Sequence, residues 1–213
     1  PKPMVPIGNQ PILWHIMKTY SFYGHKEFIL CLGYKGEVIK SWFRNFQWMI
    51  SDVCIELGNE SKTKFFSHEE ELDWKITLAE TGLESMTGAR IKAIEKYVDK
   101  DEQFLITYGD GVADINISES INFHNQSEKV LTLTGVRPPG RWGELQLEKN
   151  KVKHFYEKPQ TSSGFINGGY FIANKDIFKY LDNDSNLVFE EGPLNTLSRS
   201  EEHTSELQSQ PDL

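Results

Sequence analysis

The sequence has little of what marks several classes of protein. It contains only two cysteines, Cys31 and Cys54, among 213 residues, which excludes a disulfide-rich fold. Because each cysteine lies in an apolar run, we expect reduced, buried thiols and no disulfide. The six histidines show no spacing typical of metal ligands. The composition therefore indicates neither a disulfide framework nor a histidine metal site.

Long apolar runs and an excess of basic charge are also missing. No run approaches the about 20 apolar residues that span a bilayer, and the N-terminus does not resemble a signal peptide. We expect a cytoplasmic protein on these grounds. The net charge of −8 and the lack of a basic stripe argue against nucleic acid or an anionic membrane as a partner.

The residues that are present predict one core and a regular alternation of elements. Helical spacing after Pro11 places four residues on one face: Leu13, Ile16, Met17 and Tyr20. An apolar run of strand length follows at 27–33, and helical spacing returns at 36–46. This order predicts an α/β fold with a Rossmann-like, mostly parallel sheet flanked by helices. We expect one domain over residues 1–199.

The stretch Phe104–Asp114 holds the strongest candidate for a catalytic group. Its apolar residues predict a buried strand that stops before Asp110, and Gly109 and Gly111 free the backbone on either side of that carboxylate. Ligands bind at the carboxyl ends of strands in open α/β sheets, where a carboxylate can hold Mg²⁺ against a phosphate. The alternative interpretation is a plain Asp-Gly turn.

Lys2 is a second candidate, because prolines surround it. Lys2 lies between Pro1 and Pro3, and we expect proline at this density to forbid helix and to impose an extended, stiff chain. Lys2 is then either a cation held ready for a phosphate or a solvated lysine in a loop.

Residues 81–91 form a third candidate region. Hydroxyl and small residues lead into a helix, with Thr87 as a possible cap and Arg90 one turn inside. The N–H groups at such a helix start suit an anionic ligand or a base edge, although a plain capped turn fits the pattern equally well. The spacing is not that of a P-loop, since no Gly-Lys-Ser/Thr follows.

Three later stretches place polar or small residues at strand ends. Gly143 follows a Pro-Pro-Gly turn, and Glu157 and Lys158 come directly after an alternating run. Asn167 and Gly168 open a strand in which missing side chains would let a ligand approach the backbone.

Seven motifs, taken in order, point to one family. They read PKPMVPIG, PILWHIMKTY, LGYKGEVIK, SMTGARI, TYGDGVAD, RPPGRWGEL, and EKP followed by INGGYF. Together they resemble the nucleotidyltransferases that make nucleotide sugars, and within that family its cytidylyl branch. The resemblance runs from Pro1 to about Leu197.

The resemblance implies a reaction and a set of site residues. CTP and α-D-glucose 1-phosphate would give CDP-glucose and pyrophosphate, with Lys2 and Asp110 as catalytic residues and Asp110 as a ligand of Mg²⁺. The implied substrate-binding residues are Ser85, Gly88, Arg90, Gly109, Gly143, Glu157, Lys158, Asn167 and Gly168, the first three at the nucleotide and the last five at the sugar phosphate.

Rival functions differ in the residues that they would require. A metal-dependent glycosyltransferase would normally show two aspartates one residue apart, whereas Asp110 is followed by Gly111 and Val112. A non-catalytic relative that senses sugar nucleotides would lose its phosphate-handling residues, whereas Lys2, Asp110 and Lys158 are present. Thymidylyl- and uridylyltransferases of the same fold stay open as alternatives in nucleotide choice.

The resemblance also bears on the ends of the sequence. Family members begin with a strand and a glycine-rich GGxGTRL loop, and they carry a later aspartate as a second metal ligand; neither is found here. Residues 200–213 resemble the translated read-through of a sequencing adapter, so we expect a non-native tail. We expect an active, homo-oligomeric parent protein that carries both segments, and an inactive, poorly soluble 213-residue chain.

Overall fold

The computed structural model describes residues 1–57, 62–66, 73–137 and 165–199 with their side chains, and the backbone alone of residues 144–148, 151–156, 200 and 203–207. The α-helices are α1 (Ile12–Phe22), α2 (Gly36–Arg44), α3 (Phe46–Ile50), α4 (Thr87–Ala93), α5 (Glu95–Val98), α6 (Ile117–Ser127) and α7 (Pro193–Ser200). The strands are β1 (Pro6–Ile7), β2 (Gln10–Pro11), β3 (Glu27–Leu32), β4 (Asp52–Cys54), β5 (Lys64–Phe66), β6 (Lys75–Glu80), β7 (Gln103–Thr107), β8 (Leu131–Val136), β9 (Glu144–Glu148), β10 (Lys151–Tyr156), β11 (Ile166–Asn174) and β12 (His203–Leu207). Segments of 3-10 helix cover Lys2–Met4 and Lys175–Tyr180. Among these residues, no helix combines the length and apolar character needed to cross a membrane.

The chain divides into two compact units. The first comprises Pro1–Asp101, Gly109–Val112 and Phe178–Thr196. The second comprises Glu102–Tyr108, Ala113–Ile177 and Leu197–Leu213. Helices and strands alternate along both units, and the α/β class predicted from the sequence is confirmed.

The first unit is built on a parallel pair of strands. β3 pairs with β6 in parallel along its whole length. Leu13 and Met17 of α1 and Ile39 of α2 form a buried cluster with Leu32 at the end of β3. Partly buried residues complete the cluster: Met4, Phe28, Leu30, Phe43, Trp74, Ile76 and Leu78. Two helices therefore pack on this pair of strands.

Helix α1 shows how closely local sequence controls this unit. The four residues predicted to face the core, Leu13, Ile16, Met17 and Tyr20, are the buried ones. Gly24 follows the helix with a φ of +90°, in the left-handed region that a glycine adopts without strain. The predicted helix and its buried face are confirmed.

The second unit contains a four-stranded sheet in the order β12-β8-β11-β7. β11 is antiparallel to both β7 and β8, and β12 is parallel to β8. Phe171 and Ala173 of β11 and Leu131 of β8 are almost fully buried. The pairing of β11 with β8 is irregular between Asn167 and Phe171, where the register shifts.

Strand β12 falls in residues that the sequence analysis sets aside. We expect a non-native tail from Ser200 onward, yet the backbone of His203–Leu207 pairs with β8. β8 pairs with β11 on its other side, so the edge facing β12 has backbone groups that an extended segment can bond. The assignment of residues 200–213 as a non-native tail stays a prediction.

The expectation of two buried cysteines is wrong, because both cysteine residues are exposed. Cys31 and Cys54 are both unpaired and both have exposed surface. Apolar neighbours predict a strand but not which of its faces is covered, and both cysteines lie on strands with one open edge among the described residues. The thiol of Cys31 is nevertheless shielded, as described below.

Candidate active site

Asp110 follows a strand end, as the sequence predicts. β7 ends at Thr107, and Gly109 and Asp110 form a turn beyond it. A Cβ at Gly109 would lie 3.1 Å from Cγ of Pro3, so a glycine allows this close approach. The Asp110 side chain stays 41% exposed. The turn therefore holds a carboxylate that a ligand can reach.

Lys2 lies in a turn of 3-10 helix, which corrects the extended chain that the prolines predict. The N–H of Met4 donates to the carbonyl of Pro1 at 3.0 Å, and the N–H of Val5 donates to that of Lys2 at 3.0 Å. The prediction is wrong because the fixed φ of proline suits a first helical turn, where Pro3 needs no N–H to donate. Lys2 still has the stiff backbone that was expected.

The two residues predicted to be catalytic lie next to each other. Lys2 Nζ is 3.8 Å from Asp110 Oδ2, and the Lys2 side chain is 86% exposed. An exposed ion pair of this length contributes little to stability, because both groups remain hydrated. An exposed cation beside an accessible carboxylate can instead exchange partners when a phosphate and a divalent cation arrive.

Arg90 is bound to three oxygen atoms of the protein. Its Nη1 donates to the carbonyl of Leu32 at 3.0 Å and to Oγ1 of Thr81 at 2.8 Å, and its Nη2 donates to the carbonyl of Leu83 at 3.4 Å. A Cβ at Gly33 would overlap both terminal nitrogens of this guanidinium. Arg90 therefore joins the end of β3 to the turn that follows β6.

The thiol of Cys31 lies beside the same residue. Its Sγ donates to the carbonyl of Arg90 at 3.9 Å. Desolvation by burial raises the pKa of Cys31 to about 11, and the charge of the Arg90 guanidinium lowers it in part. The thiol is therefore protonated at neutral pH, although the residue has exposed surface.

The first N–H groups of α4 are already bonded within the protein. Those of Gly88 and Ala89 donate to the carbonyl of Leu187 at 2.9 and 3.2 Å. A Cβ at Gly88 would lie 2.8 Å from Cγ of Leu187, so this glycine makes room for the 187 segment. In this conformation these donors of α4 are bonded to the protein, and no longer free for the anion or base edge that was one of the two interpretations of the sequence.

Thr87 is not the cap of α4. Met86 is the capping residue and makes no side-chain cap bond, whereas Thr87 Oγ1 donates to the carboxylate of Glu190 at 2.7 Å and accepts from the N–H of Phe189 at 2.9 Å. The Thr87 hydroxyl does not cap the helix because it bonds to Glu190 and Phe189, which are distant in sequence, instead of to the local backbone.

Ser85 lies in the turn between β6 and α4 and is partly exposed. Gly82 in the same turn has a φ of +101°, and a Cβ there would overlap Ser85 Oγ. The turn thus folds the Ser85 hydroxyl over a glycine that has no side chain to oppose it.

In the second unit, Asn167 is tied to neighbouring residues. Its Nδ2 donates to the hydroxyl of Tyr108 at 3.1 Å, and its Oδ1 accepts from the N–H of Gly169 at 2.8 Å. A Cβ at Gly168 would lie 2.9 Å from the carbonyl of Thr134. The glycine is therefore required by the contact between β11 and β8, whereas the sequence analysis attributes it to ligand approach.

The remaining predicted site residues, Gly143, Glu157 and Lys158, lie outside the described residues. The sequence did not indicate that Thr81 and Tyr108 bond to predicted site residues, Thr81 to Arg90 and Tyr108 to Asn167. The available signals were weak: Thr81 is a polar residue directly after a strand, and Tyr108 is an aromatic residue directly before the glycine-flanked carboxylate.

The residues present fit a divalent cation that is held jointly with a substrate. Within the described ranges, no three His, Cys, Asp or Glu side chains are grouped as a metal site. Mg²⁺ is commonly bound by one or two carboxylates together with substrate phosphates, and the accessible carboxylate of Asp110 is suited to be one of them.

A lysine beside an accessible aspartate in an α/β fold suits chemistry on phosphate groups, because a cation can meet phosphate charge and a carboxylate can hold a metal ion. The nucleotidyl transferase family model matches residues 1–201. The chain belongs to the nucleotidyl transferase family, and it is an enzyme.

Particular relatives refine this class. Over 202 residues, covering 95% of this chain and 77% of the relative, the sequence is 47% identical to glucose-1-phosphate cytidylyltransferase from Salmonella typhi. Over 192 residues, covering 90% of this chain and 74% of the relative, it is 32% identical to D-glycero-alpha-D-manno-heptose 1-phosphate guanylyltransferase from Campylobacter jejuni. The fold is similar to that of HddC from Yersinia pseudotuberculosis complexed with GMP-PN, with a TM-score of 0.66 and 22% identity, covering 98% of this chain and 81% of the other.

Proposed function

We propose that the protein transfers a cytidylyl group from CTP to α-D-glucose 1-phosphate, which yields CDP-glucose and pyrophosphate. The observation that carries this proposal is the adjacency of Lys2 and Asp110 at 3.8 Å, in a chain that is 47% identical to a glucose-1-phosphate cytidylyltransferase. The adjacency supports chemistry on phosphates, and the similarity supports the choice of sugar and base.

The chemistry needs positioning and positive charge more than a general base. A phosphate oxygen of the sugar phosphate is already anionic at neutral pH, so repulsion between the two substrates is the main barrier. The oxygen attacks the α-phosphorus of CTP in line, the new phosphorus–oxygen bond forms, and the bond to pyrophosphate breaks. Negative charge grows on the α-phosphate and on the departing pyrophosphate, where fixed cations lower the barrier.

Lys2 and Asp110 have complementary roles in this proposal. Lys2 neutralises phosphate charge as it develops, because its ammonium group leaves an exposed pair that costs little to break. Asp110 holds Mg²⁺, which when bound supplies charge neutralisation at the α-phosphate. Gly109 keeps the Asp110 turn close to Pro3.

The other proposed substrate-binding residues fall into two sets, one for the nucleotide and one for the sugar phosphate. Ser85 and Gly88 serve the nucleotide side, and Arg90 serves that side through the turn to which it is bonded. The residues proposed for the sugar-phosphate side are Gly143, Glu157, Lys158, Asn167 and Gly168. Glu157 accepts from sugar hydroxyls and Lys158 meets the phosphate, which is a division that kinetics can test.

The nucleotide preference rests on sequence similarity, since cytosine differs from its rivals by a few edge groups. A competition assay with equal CTP, UTP and dTTP in the presence of glucose 1-phosphate and Mg²⁺ measures it in the parent protein. CDP-glucose should be the dominant product. A dominant UDP- or dTDP-glucose would replace the cytidylyl assignment with the uridylyl or thymidylyl alternative, and no product at all would favour the sugar-nucleotide sensor.

A further inference from the structure

Arg90 carries an inference that deepens the proposed function and rests on it for the identity of the nucleotide. We propose that Arg90 is a positioning residue for the nucleotide side of the site: it fixes the turn at residues 81–85 from within the protein and makes no direct contact with the nucleotide.

The first step is the convergence of donors on one buried carbonyl. The carbonyl of Leu32 accepts from Arg90 Nη1 at 3.0 Å, from Thr81 Oγ1 at 2.9 Å and from the N–H of Thr81 at 3.0 Å. Leu32 is 2% exposed and Thr81 is 7% exposed. Hydrogen bonds that are shielded from water are costly to leave unmade, so this group of residues constrains the backbone strongly.

The second step is that Arg90 bonds to the turn at two places. Nη1 donates to Thr81 Oγ1 at 2.8 Å where the turn begins, and Nη2 donates to the Leu83 carbonyl at 3.4 Å near its middle. The planar guanidinium can reach three oxygens at fixed relative directions, whereas a lysine ammonium could not span them. The turn that ends in Ser85 is therefore set by a side chain one helical turn inside α4.

Gly33 leaves the space that the guanidinium of Arg90 occupies. A Cβ at Gly33 would overlap both terminal nitrogens of Arg90. The glycine after β3 thus makes room for the guanidinium. An alanine at Gly33 would displace the flexible end of Arg90 without any change at a residue proposed to touch the nucleotide.

The test uses three substitutions that reach the same bonds from different residues: Arg90→Lys, Thr81→Val and Gly33→Ala in the parent protein. Arg44→Lys on α2 is the matched control for the arginine change. Hydrogen exchange at the Thr81 amide reports the bonding of the turn without reference to activity. The KM for CTP and kcat, both at saturating glucose 1-phosphate, report its effect on the site.

We expect Arg90→Lys and Gly33→Ala to speed exchange at the Thr81 amide about tenfold, which is the effect of losing about one hydrogen bond. All three variants should raise the KM for CTP by a similar factor while changing kcat little. Combining Arg90→Lys with Thr81→Val should add little to either single change, because both remove the same unit.

Two outcomes would overturn the proposal. Unchanged exchange at Thr81 in Arg90→Lys and Gly33→Ala would refute the positioning role, whichever nucleotide the enzyme uses. A KM for CTP that rises in Arg90→Lys and in Gly33→Ala, which displaces the guanidinium, but stays normal in Thr81→Val would assign Arg90 a direct contact with the nucleotide. If another nucleotide proves to be the substrate, the same KM comparison is made with that nucleotide.

Discussion

The Lys2–Asp110 pair contrasts with the Arg90 group, which consists of Arg90, Thr81 and Leu32, within the same unit of the protein. The pair is exposed and is joined by one ion pair of 3.8 Å. Arg90 instead donates to three protein oxygens, and its partners Leu32 and Thr81 are buried. We expect side chains that change partners during a reaction to make few bonds within the protein, and side chains that shape the site to make several hydrogen bonds to it. Substitutions at the pair should therefore affect turnover, and substitutions in the Arg90 group should affect stability and the KM for CTP.

The largest expected effect is at Asp110. Asp110→Asn should reduce turnover in the parent protein by about a thousandfold or more, because a lost metal ligand costs several kcal/mol of barrier. CTP binding measured calorimetrically without metal should change little. Asp114→Asn, which alters an exposed aspartate four residues further on, is the control and should be nearly neutral. Near-normal turnover in Asp110→Asn would end the metal assignment.

Lys2→Met should have the next largest effect. We expect kcat to fall about a hundredfold, more than the KM for glucose 1-phosphate rises, because the charge that Lys2 meets is greatest in the transition state. Lys26→Met, which removes another paired surface lysine, should leave both parameters unchanged.

A comparison with Lys158 sharpens the result for Lys2. Lys158→Ala should chiefly raise the KM for glucose 1-phosphate, since we assign it to binding of the sugar phosphate. If the two variants showed each other's behaviour, the proposed division between catalysis and sugar-phosphate binding would be reversed.

Thr81→Val tests the other side of the contrast. Removing a hydroxyl that bridges Arg90 and Leu32 should lower the free energy of unfolding by about 1–3 kcal/mol, because the Leu32 carbonyl and Arg90 Nη1 each lose one hydrogen bond beside buried residues. Thr196→Val removes a hydroxyl that donates to the Gly192 carbonyl at 3.1 Å in an exposed position, and it should cost less. Chemical denaturation measures both. Equal costs would mean that burial does not distinguish Thr81.

The fold was predictable where the signal lies in neighbouring residues. The four buried positions of α1 follow from helical spacing, and β3 follows from an apolar run of strand length. Strand β5 was missed, because residues 61–73 are too polar to mark Lys64–Phe66 as a strand; its pairing with β4 supplies what the local sequence does not. The turn at Lys2–Met4 was missed because proline is compatible with both an extended chain and a first helical turn.

The sequence predicted which residues belong to the site better than it predicted their hydrogen-bond and ion-pair partners. The sequence identifies Asp110 from its flanking glycines, and the structure adds that Lys2 is its neighbour. For Arg90 the sequence gives a position one turn inside a helix, but the acceptor Leu32 lies 58 residues earlier in the chain. No periodicity encodes such a pairing, so a direct role at the ligand was the natural expectation. Gly33 and Gly88 likewise gain their meaning from distant side chains.

The smallest expected effect concerns Cys31, which borders the Arg90 group. Burial raises the pKa of its thiol to about 11, so the reactive thiolate is scarce at pH 8 and grows as the pH approaches 11. The raised pKa also means that Cys31 contributes stability that is complete below the unfolded pKa and is lost as the pH rises toward 11. Alkylation followed residue by residue with a mass spectrometer should show a rate at Cys31 that climbs steeply between pH 8 and about 11, whereas a flat profile would contradict the shielding of Sγ.

Pyrophosphate release by the parent protein tests the central claim most directly. With CTP and Mg²⁺, release should require glucose 1-phosphate, should match CDP-glucose formation one for one, and should be abolished by Asp110→Asn. Release of pyrophosphate without glucose 1-phosphate, or none with both substrates present, would contradict nucleotidyl transfer to this sugar phosphate through the Lys2–Asp110 pair.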